Sequence, residues 1–239
     1  MSRNRLKKLT QRLRSGTETP EDLHDLADVL IYYRRVLDSA HADIVRLCAG
    51  LPYVQPMAPR VKTLKTTLEK LHRQPELHSL AQIRDLAGLR VVVHGTRADQ
   101  DELVGRIEAL FHDQDRPPKK IDRQAEPRAG YRAVHLEVRR DGILLEVQVR
   151  TVLQHQWAEA FERTADRLGR GLRYGEDVDY GSAPHGPAMV ERLNTAANVI
   201  DLLERDLVAT AFGHEFASLI LREVERILEQ IVRQVQELQ

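Results

Sequence analysis

Ala133-Val134-His135-Leu136-Glu137-Val138-Arg139-Arg140-Asp141-Gly142-Ile143-Leu144-Leu145-Glu146-Val147-Gln148-Val149-Arg150-Thr151 is the stretch that decides the fold. Val134, Leu136 and Val138 alternate with Ala133, His135 and Glu137; Ile143, Leu145, Val147 and Val149 alternate with Leu144, Glu146, Gln148 and Arg150. A period of two marks a strand with one buried face, and Asp141-Gly142 suits a two-residue hairpin turn. Thr151 then caps a helix whose Leu153, Trp157 and Phe161 recur at helical spacing, which makes Trp157 a core residue rather than a base-stacking one.

Working outward, Gly88-Leu89-Arg90-Val91-Val92-Val93 reads as a mostly buried strand and Asp101 to Phe111 as a helix with Leu103, Ile107 and Leu110 inward. Arg60 to about Arg73 reads as another helix, with Leu64, Leu68 and Leu71 on one stripe and Lys62, Thr66 and Lys70 on a second. Thr19-Pro20-Glu21-Asp22 is a helix start, with Thr as N-cap, Pro first in the helix and acids in the first turn. Leu23, Leu26, Leu30, Tyr33 and Leu37 then follow at helical spacing. Residues 1–16 are basic and polar and read as a frayed helix or arm, and the prolines between Leu51 and Pro59 break the chain. Gly169, Gly171, Gly175, Gly181 and Gly186 with Pro184 and Pro187 mark a loop. The last helix carries an apolar seam of Ile220, Val224, Ile227, Ile231, Val235 and Leu238, which packs on the chain's own helices or on a second subunit.

The order is helices, then strand–helix–hairpin–helix, then helices: an α+β core with helical N- and C-terminal flanks. The expected division is a helical segment over 1–58, a core over 59–175, a loop over 176–187 and C-terminal helices over 188–239. The 239 residues are 42% hydrophobic and 30% charged, enough apolar matter for a core and too polar for a membrane protein. Lys plus Arg and Asp plus Glu both total 36, which argues against attachment to nucleic acid by bulk basicity. The single Cys48 excludes a disulfide framework and a multi-cysteine zinc site. No apolar run approaches the ~20 residues of a membrane span, and the N-terminus lacks the apolar stretch of a secretory signal. The expected location is the cytoplasm.

The polar face of the hairpin carries the first chemical signal. With Asp141-Gly142 as the turn, Glu137 falls opposite Glu146 and His135 opposite Gln148. Like charges across a strand pair repel. Either the face is solvated, with Arg139 answering Glu137, or it is a site that takes a cation. Asp85, in Ile83-Arg84-Asp85-Leu86-Ala87-Gly88-Leu89-Arg90, adds a carboxylate just before a buried strand, and Arg60, Lys62 and Lys70 add cations. Two carboxylates with a basic cluster suit magnesium-dependent chemistry on a polyphosphate: carboxylates take the hard cation, Lys and Arg the phosphate oxygens. Neither GxxxxGK[ST] nor GxGxxG occurs, so side chains must hold the nucleotide. Arg90 and Arg150 interrupt apolar strands and read as serving this site.

Four runs in order, Arg60 to Lys70, Ile83 to Arg90, Gly130-Tyr131-Arg132-Ala133-Val134-His135 and Glu146-Val147-Gln148-Val149-Arg150-Thr151, make residues 55–170 resemble the synthetase domain of the RelA/SpoT family, especially its stand-alone small alarmone synthetases. The resemblance implies a nucleotidyltransferase-like mixed sheet that moves the β,γ-pyrophosphate of ATP onto the 3′-hydroxyl of GDP or GTP, making (p)ppGpp. It implies that Asp85 binds Mg2+, that Glu146 binds the metal or activates the acceptor hydroxyl, and that Arg60, Lys62, Lys70 and Arg90 hold ATP. Tyr131 would stack on guanine, His135 would lie near the acceptor phosphates, and Arg132, Gln148 and Arg150 would complete the acceptor side. It also implies a homo-oligomer through terminal helices. Family members usually carry an Asn just before the Gly-Tyr pair, where this chain has Ala129 in a shorter loop. The acceptor therefore stays open among GDP, GTP, GMP, an adenine nucleotide and the 3′ end of a tRNA. A catalytically silent nucleotide- or RNA-binding module is the remaining alternative.

Overall fold

A computed structural model describes residues 2–112, 116–176, 178–180 and 185–237. The elements run α1 (Arg3–Ser15), α2 (Pro20–Cys48), β1 (Val54–Pro56), β2 (Arg60–Val61), α3 (Leu64–Arg73), β3 (Ala87–Val93), α4 (Arg97–Leu110), β4 (Lys119–Asp122), β5 (Val134–Arg140), β6 (Ile143–Thr151), α5 (Val152–Leu168), α6 (Gly186–Glu204), α7 (Leu207–Phe212) and α8 (His214–Glu237). The fold is α+β, with a mixed six-stranded sheet in the order β1-β3-β6-β5-β4 and β2 paired to β3. Helices precede and follow the sheet in the chain. The hairpin forms as its pattern requires: Asp141 (φ 51°) and Gly142 (φ 74°) are both left-handed, as the turn that matches strand twist demands.

The chain divides into two compact units. The first comprises Met1–Val91, Leu103–Ile121 and His135–Gln148. Here α1 is a docked helix rather than the frayed arm its composition implied. Leu9 and Leu13, one turn apart, are fully buried, and α1 packs on α2 and α3. Arg12 donates to both oxygens of Asp22 at 2.5–3.0 Å, and His72 Nε2 lies 2.9 Å from the Leu13 carbonyl. The Arg12 guanidinium and the Thr19 backbone amide hold the Asp22 carboxyl well below the usual carboxylate range. Thr19 and Asp22 form the capping box that starts α2, whose Leu26, Tyr33, Leu37 and Ile44 enter the core.

Several boundaries differ from the sequence reading; α4 begins at Arg97 rather than Asp101, and β4 was not expected. The proline-rich break contains β1, and the Met57 amide donates to the Arg90 carbonyl at 2.8 Å. Arg60 belongs to β2 rather than to a helix, with Arg60 opposite Gly88 and Val61 opposite Ala87 in an antiparallel ladder. α3 begins only at Leu64, because Thr63 caps it by accepting from the Thr66 amide. Its buried positions are Thr67 and Leu71, while Leu64 is exposed.

The second unit comprises Val92–Glu102, Asp122–Val134 and Val149–Gln239. Its core is Trp157, Phe161, Leu168, Leu193, Ile200, Val224, Leu228, Ile231 and Val235, with the Trp157 and Phe161 rings stacked at 4.8 Å. The α8 seam packs on α5 and α6 of the same chain, with Val224, Ile231 and Val235 buried and Ile220 and Ile227 partly buried. Leu238 of that seam, like Gly181 and Pro184 of the expected loop, lies outside the described residues.

Candidate active site

Asp85 follows a short helical turn over Leu80–Gln82 and precedes β3. Ile83 and Leu86 on either side of it are fully buried, which fixes the backbone and turns the carboxylate outward. Lys70 Nζ donates to Asp85 Oδ1 at 2.5 Å and Lys62 Nζ lies 3.1 Å from Oδ2. The two lysines were expected on one helix face. Instead Lys62 stands before the helix, where its amide donates to the Leu86 carbonyl at 2.9 Å, and its side chain meets Asp85 from the residue just after β2 while Lys70 meets it from α3. Burial pushes the Asp85 carboxyl up, but the two ammonium groups more than offset this and leave it below its ordinary value. At neutral pH it is an anion.

Glu146 is held just as fully. His135 Nδ1 lies 2.8 Å from Oε1, and Gln148 Nε2 donates to Oε2 at 2.8 Å. Burial raises this carboxyl, His135 and Gln148 lower it further than burial raises it, and the Asp85 charge works against them; the net shift is downward. Glu137, expected to face Glu146 and to be answered by Arg139, pairs with Arg84 at 3.1 Å. Gly88 is essential to this packing. A Cβ there would stand 2.8 Å from the Glu146 carbonyl oxygen, too close for any side chain. The lone glycine in an apolar strand was the readable sign of such an approach. Arg84, which precedes the carboxylate, carried no such sign.

The remaining basic candidates lie along the same strands. Arg60 is exposed on β2 opposite Gly88, and Arg90 is half-buried on β3.

Tyr131 and Arg150 come together in the second unit. Arg150 is 1% exposed, donates to the Tyr131 hydroxyl at 2.8 Å and sets its guanidinium 5.0 Å from the centre of the Tyr131 ring. Ala129 (φ 49°) and Gly130 (φ 80°) form a tight turn between Arg128 and Tyr131, which pair antiparallel, with the Tyr131 amide donating to the Arg128 carbonyl at 2.9 Å. The position where the family pattern has Asn is thus a left-handed one, a conformation Asn tolerates and Ala resists. Arg132 turns to α6: Nη1 donates to the Ala197 carbonyl at 2.9 Å and Nε lies 3.5 Å from Asp201 Oδ1.

Among the described residues no group of three or more His, Cys, Asp or Glu side chains could hold a metal by itself. Mg2+ does not require one, since it is typically bound through one or two carboxylates plus water and substrate phosphates. Asp85 and Glu146 are anionic oxygen donors and fit that demand. No helix among the described residues is long and apolar enough to cross a membrane.

Residues 59–165 match the family defined as the region found in RelA / SpoT proteins. An uncharacterized protein of Mycobacterium tuberculosis is 33% identical over 196 residues, covering 80% of this chain and 69% of its own length. An uncharacterized protein of Mycobacterium bovis matches to the same extent, 33% over 196 residues. Among solved structures, the small alarmone synthetase 1 of Bacillus subtilis bound to its product pppGpp superposes with a TM-score of 0.56 at 22% identity, covering 79% of this chain and 97% of that one. A GTP pyrophosphokinase family protein of Streptococcus pneumoniae gives 0.58 at 21%, covering 84% and 98%. These two share the fold. With the four sequence runs and the sheet that carries them in place, the chain belongs to the RelA/SpoT family.

Proposed function

We propose that this protein is an ATP-dependent pyrophosphokinase that transfers the β,γ-pyrophosphate of ATP to the 3′-hydroxyl of GDP or GTP. The observation that carries this reading is Asp85 with Lys62 and Lys70 on its two oxygens, in the same unit as Glu146 with His135 and Gln148 on its own. Lysines that neutralise a carboxylate in the free protein are placed to exchange it for phosphate oxygens when a polyphosphate arrives. Asp85, relieved of them, is then available to Mg2+ together with Glu146. The metal, once bound, supplies charge neutralisation on the transferred phosphates. Arg60 and Arg90 complete the ATP side, since a guanidinium can stack on a purine or pair with phosphate.

On the acceptor side, Tyr131 offers a ring to the base, a contact generally worth ~1–3 kcal/mol. Arg150 fixes that ring from one face, and the family resemblance assigns His135, Gln148 and Arg132 to the same acceptor. In the reaction the acceptor 3′-oxygen forms a bond to the β-phosphorus of ATP. The bond from that phosphorus to the oxygen shared with the α-phosphate breaks, AMP leaves, and the hydroxyl proton passes to Glu146. A carboxylate held low is a weak base in the resting site, and it accepts the proton only as negative charge leaves the attacking oxygen. The cytoplasm, where both nucleotides abound, is the corresponding location.

The test is incubation with γ-labelled ATP and Mg2+ against GDP, GTP, GMP and deacylated tRNA. Label is expected in guanosine penta- or tetraphosphate, and absent from that product in Asp85→Asn and Glu146→Gln, both still folded. Label in the tRNA alone overturns the nucleotide acceptor, and label in none overturns the enzyme. Tyr131→Ala is expected to raise the acceptor KM more than the ATP KM.

A further inference from the structure

The loop that presents Tyr131 lies on α6, an element beyond the matched family region of residues 59–165. A Cβ on Gly130 would stand 2.9 Å from Trp157 Cζ2 and 3.2 Å from the Ala197 methyl, so loop, α5 and α6 are in direct contact. Trp157 Nε1 donates to the Leu193 carbonyl at 2.7 Å. Arg132, next to Tyr131, donates to the Ala197 carbonyl at 2.9 Å and lies 3.5 Å from Asp201. Asp201 also accepts from Arg97 at 3.1 Å, and Arg97 in turn donates to the buried Gln124 that leads into the loop.

One turn further along, Glu204 accepts from Thr151 Oγ1 and from Gln154 Nε2 at 2.7 Å. Thr151 directly follows Arg150, whose guanidinium holds the Tyr131 ring. Positions 197, 201 and 204 fall at i, i+4 and i+7, one face of a helix. That single face therefore grips both chain segments that place the tyrosine: the loop through Arg132 and the end of β6 through Thr151.

We infer that Asp201 is a positioning residue for the acceptor base, acting through Arg132 to fix the angle at which Tyr131 meets it. The inference rests on the acceptor role of Tyr131 proposed above. Asp201 sits where three guanidinium groups converge: Arg132 from the loop, Arg97 from α4 and, at 3.6 Å, Arg205 just past the end of α6. Its charge, not merely its bulk, is what orients Arg132. A neutral residue leaves Arg132 with the Ala197 and Gly130 carbonyls, both met by the single nitrogen Nη1, a hinge rather than a brace.

The experiment measures acceptor KM and ATP KM for the full chain and for Asp201→Asn, Asp201→Glu and Tyr131→Ala, with thermal melting of each. Trp157 is the only tryptophan, so its emission reports acceptor titrated without ATP, independent of turnover. Asp201→Asn is expected to raise the acceptor KM about tenfold, as loss of a brace on a substrate-positioning group does. The ATP KM should stay unchanged, the fluorescence titration should shift in parallel, and Asp201→Glu should restore most of the affinity. Should Asp201→Asn not fold, Arg132→Gln keeps a donor for the Ala197 carbonyl, removes the ion pair and is expected to show the same split. An unchanged acceptor KM, or equal rises in both KM values, overturns the inference while a selective effect of Tyr131→Ala leaves the acceptor site standing. No effect of Tyr131→Ala on acceptor KM overturns the underlying reading instead.

Discussion

Adding one methyl group at two glycines should give opposite results. At Gly88 a Cβ would lie 2.8 Å from the Glu146 carbonyl oxygen and 3.4 Å from its Cβ. The first is a contact with backbone of the adjacent strand, which cannot swing aside, so β3 and β6 must part locally by about 0.5 Å to restore ordinary contact. Overpacking of this kind costs about 1–3 kcal/mol. At Gly105, in the middle of α4, nothing lies within 4 Å of the added carbon. There Ala relieves the entropic cost of a helical glycine and stabilises by about 0.5–1 kcal/mol. For a chain of this size 1 kcal/mol moves Tm by about 2–4 °C. Gly105→Ala should therefore melt a few degrees higher and Gly88→Ala several degrees lower, by calorimetry or circular dichroism. Because Asp85 stands three residues before Gly88 and Glu146 is the group struck, pyrophosphate transfer should fall about tenfold in Gly88→Ala and not in Gly105→Ala. A Gly88→Ala protein with unchanged Tm and full turnover would show that β3 and β6 are not packed this closely and that the carboxylates do not depend on that packing.

Ala129 at φ 49° bears most of the ~1–2 kcal/mol that a non-glycine residue incurs in the left-handed region. Ala129→Asn should stabilise by about 0.5–1 kcal/mol and Ala129→Val destabilise by a similar amount or more; equal urea midpoints for the two variants would contradict the turn. Burial pushes the Glu204 carboxyl up, only partly relieved by Thr151, Gln154 and Arg97, and Asp201 adds to the rise. Its protonated form thus lends stability that is fully present below glutamate's ordinary pKa of about 4.3 and is lost as pH rises through the raised folded value. Urea midpoints of Glu204→Gln measured from pH 4 to 7 should gain on the parent as pH rises, whereas a constant offset would refute the shift. Glu146, shifted the other way, contributes above its ordinary value and loses that contribution as pH falls. Ile231 is fully buried against α5 and α6, so Ile231→Asp should cost at least several kcal/mol and abolish cooperative melting of the second unit. Phe216→Asp, at a side chain 43% exposed, should leave melting nearly unchanged, and native-like melting of Ile231→Asp would place α8 elsewhere.

The hairpin, the strand after Asp85 and the long N-terminal helix were legible because each is a local property: alternation of period two, a two-residue turn that needs positive φ, and a capping box within four residues. The carboxylates and the lysines were legible as residue types, since a charge placed against a buried strand stands out against its apolar neighbours. The docking of residues 3–15 was not. It rests on two leucines in a basic segment, and their burial depends on α2 and α3 being there to receive them. The start of α3 was misread for a similar reason. Arg60 and Val61 pair with Gly88 and Ala87, and a ladder bond to a strand some 26–28 residues away leaves no periodic trace.

What the sequence by itself determined is the set of candidate polar groups and the local elements around them, because side-chain chemistry and local backbone preference are written residue by residue. Only the tertiary structure decided which group answers which. Asp85 is met by Lys62 and Lys70 from two different elements, Glu146 by His135 and Gln148, Glu137 by Arg84, and Arg132 by α6. The seam of α8 went to α5 and α6 because those helices present the apolar faces that bury it within the chain. Partner choice of this kind is set by distances of a few ångströms between segments remote in sequence, and Coulomb and packing energies depend on those distances rather than on order along the chain.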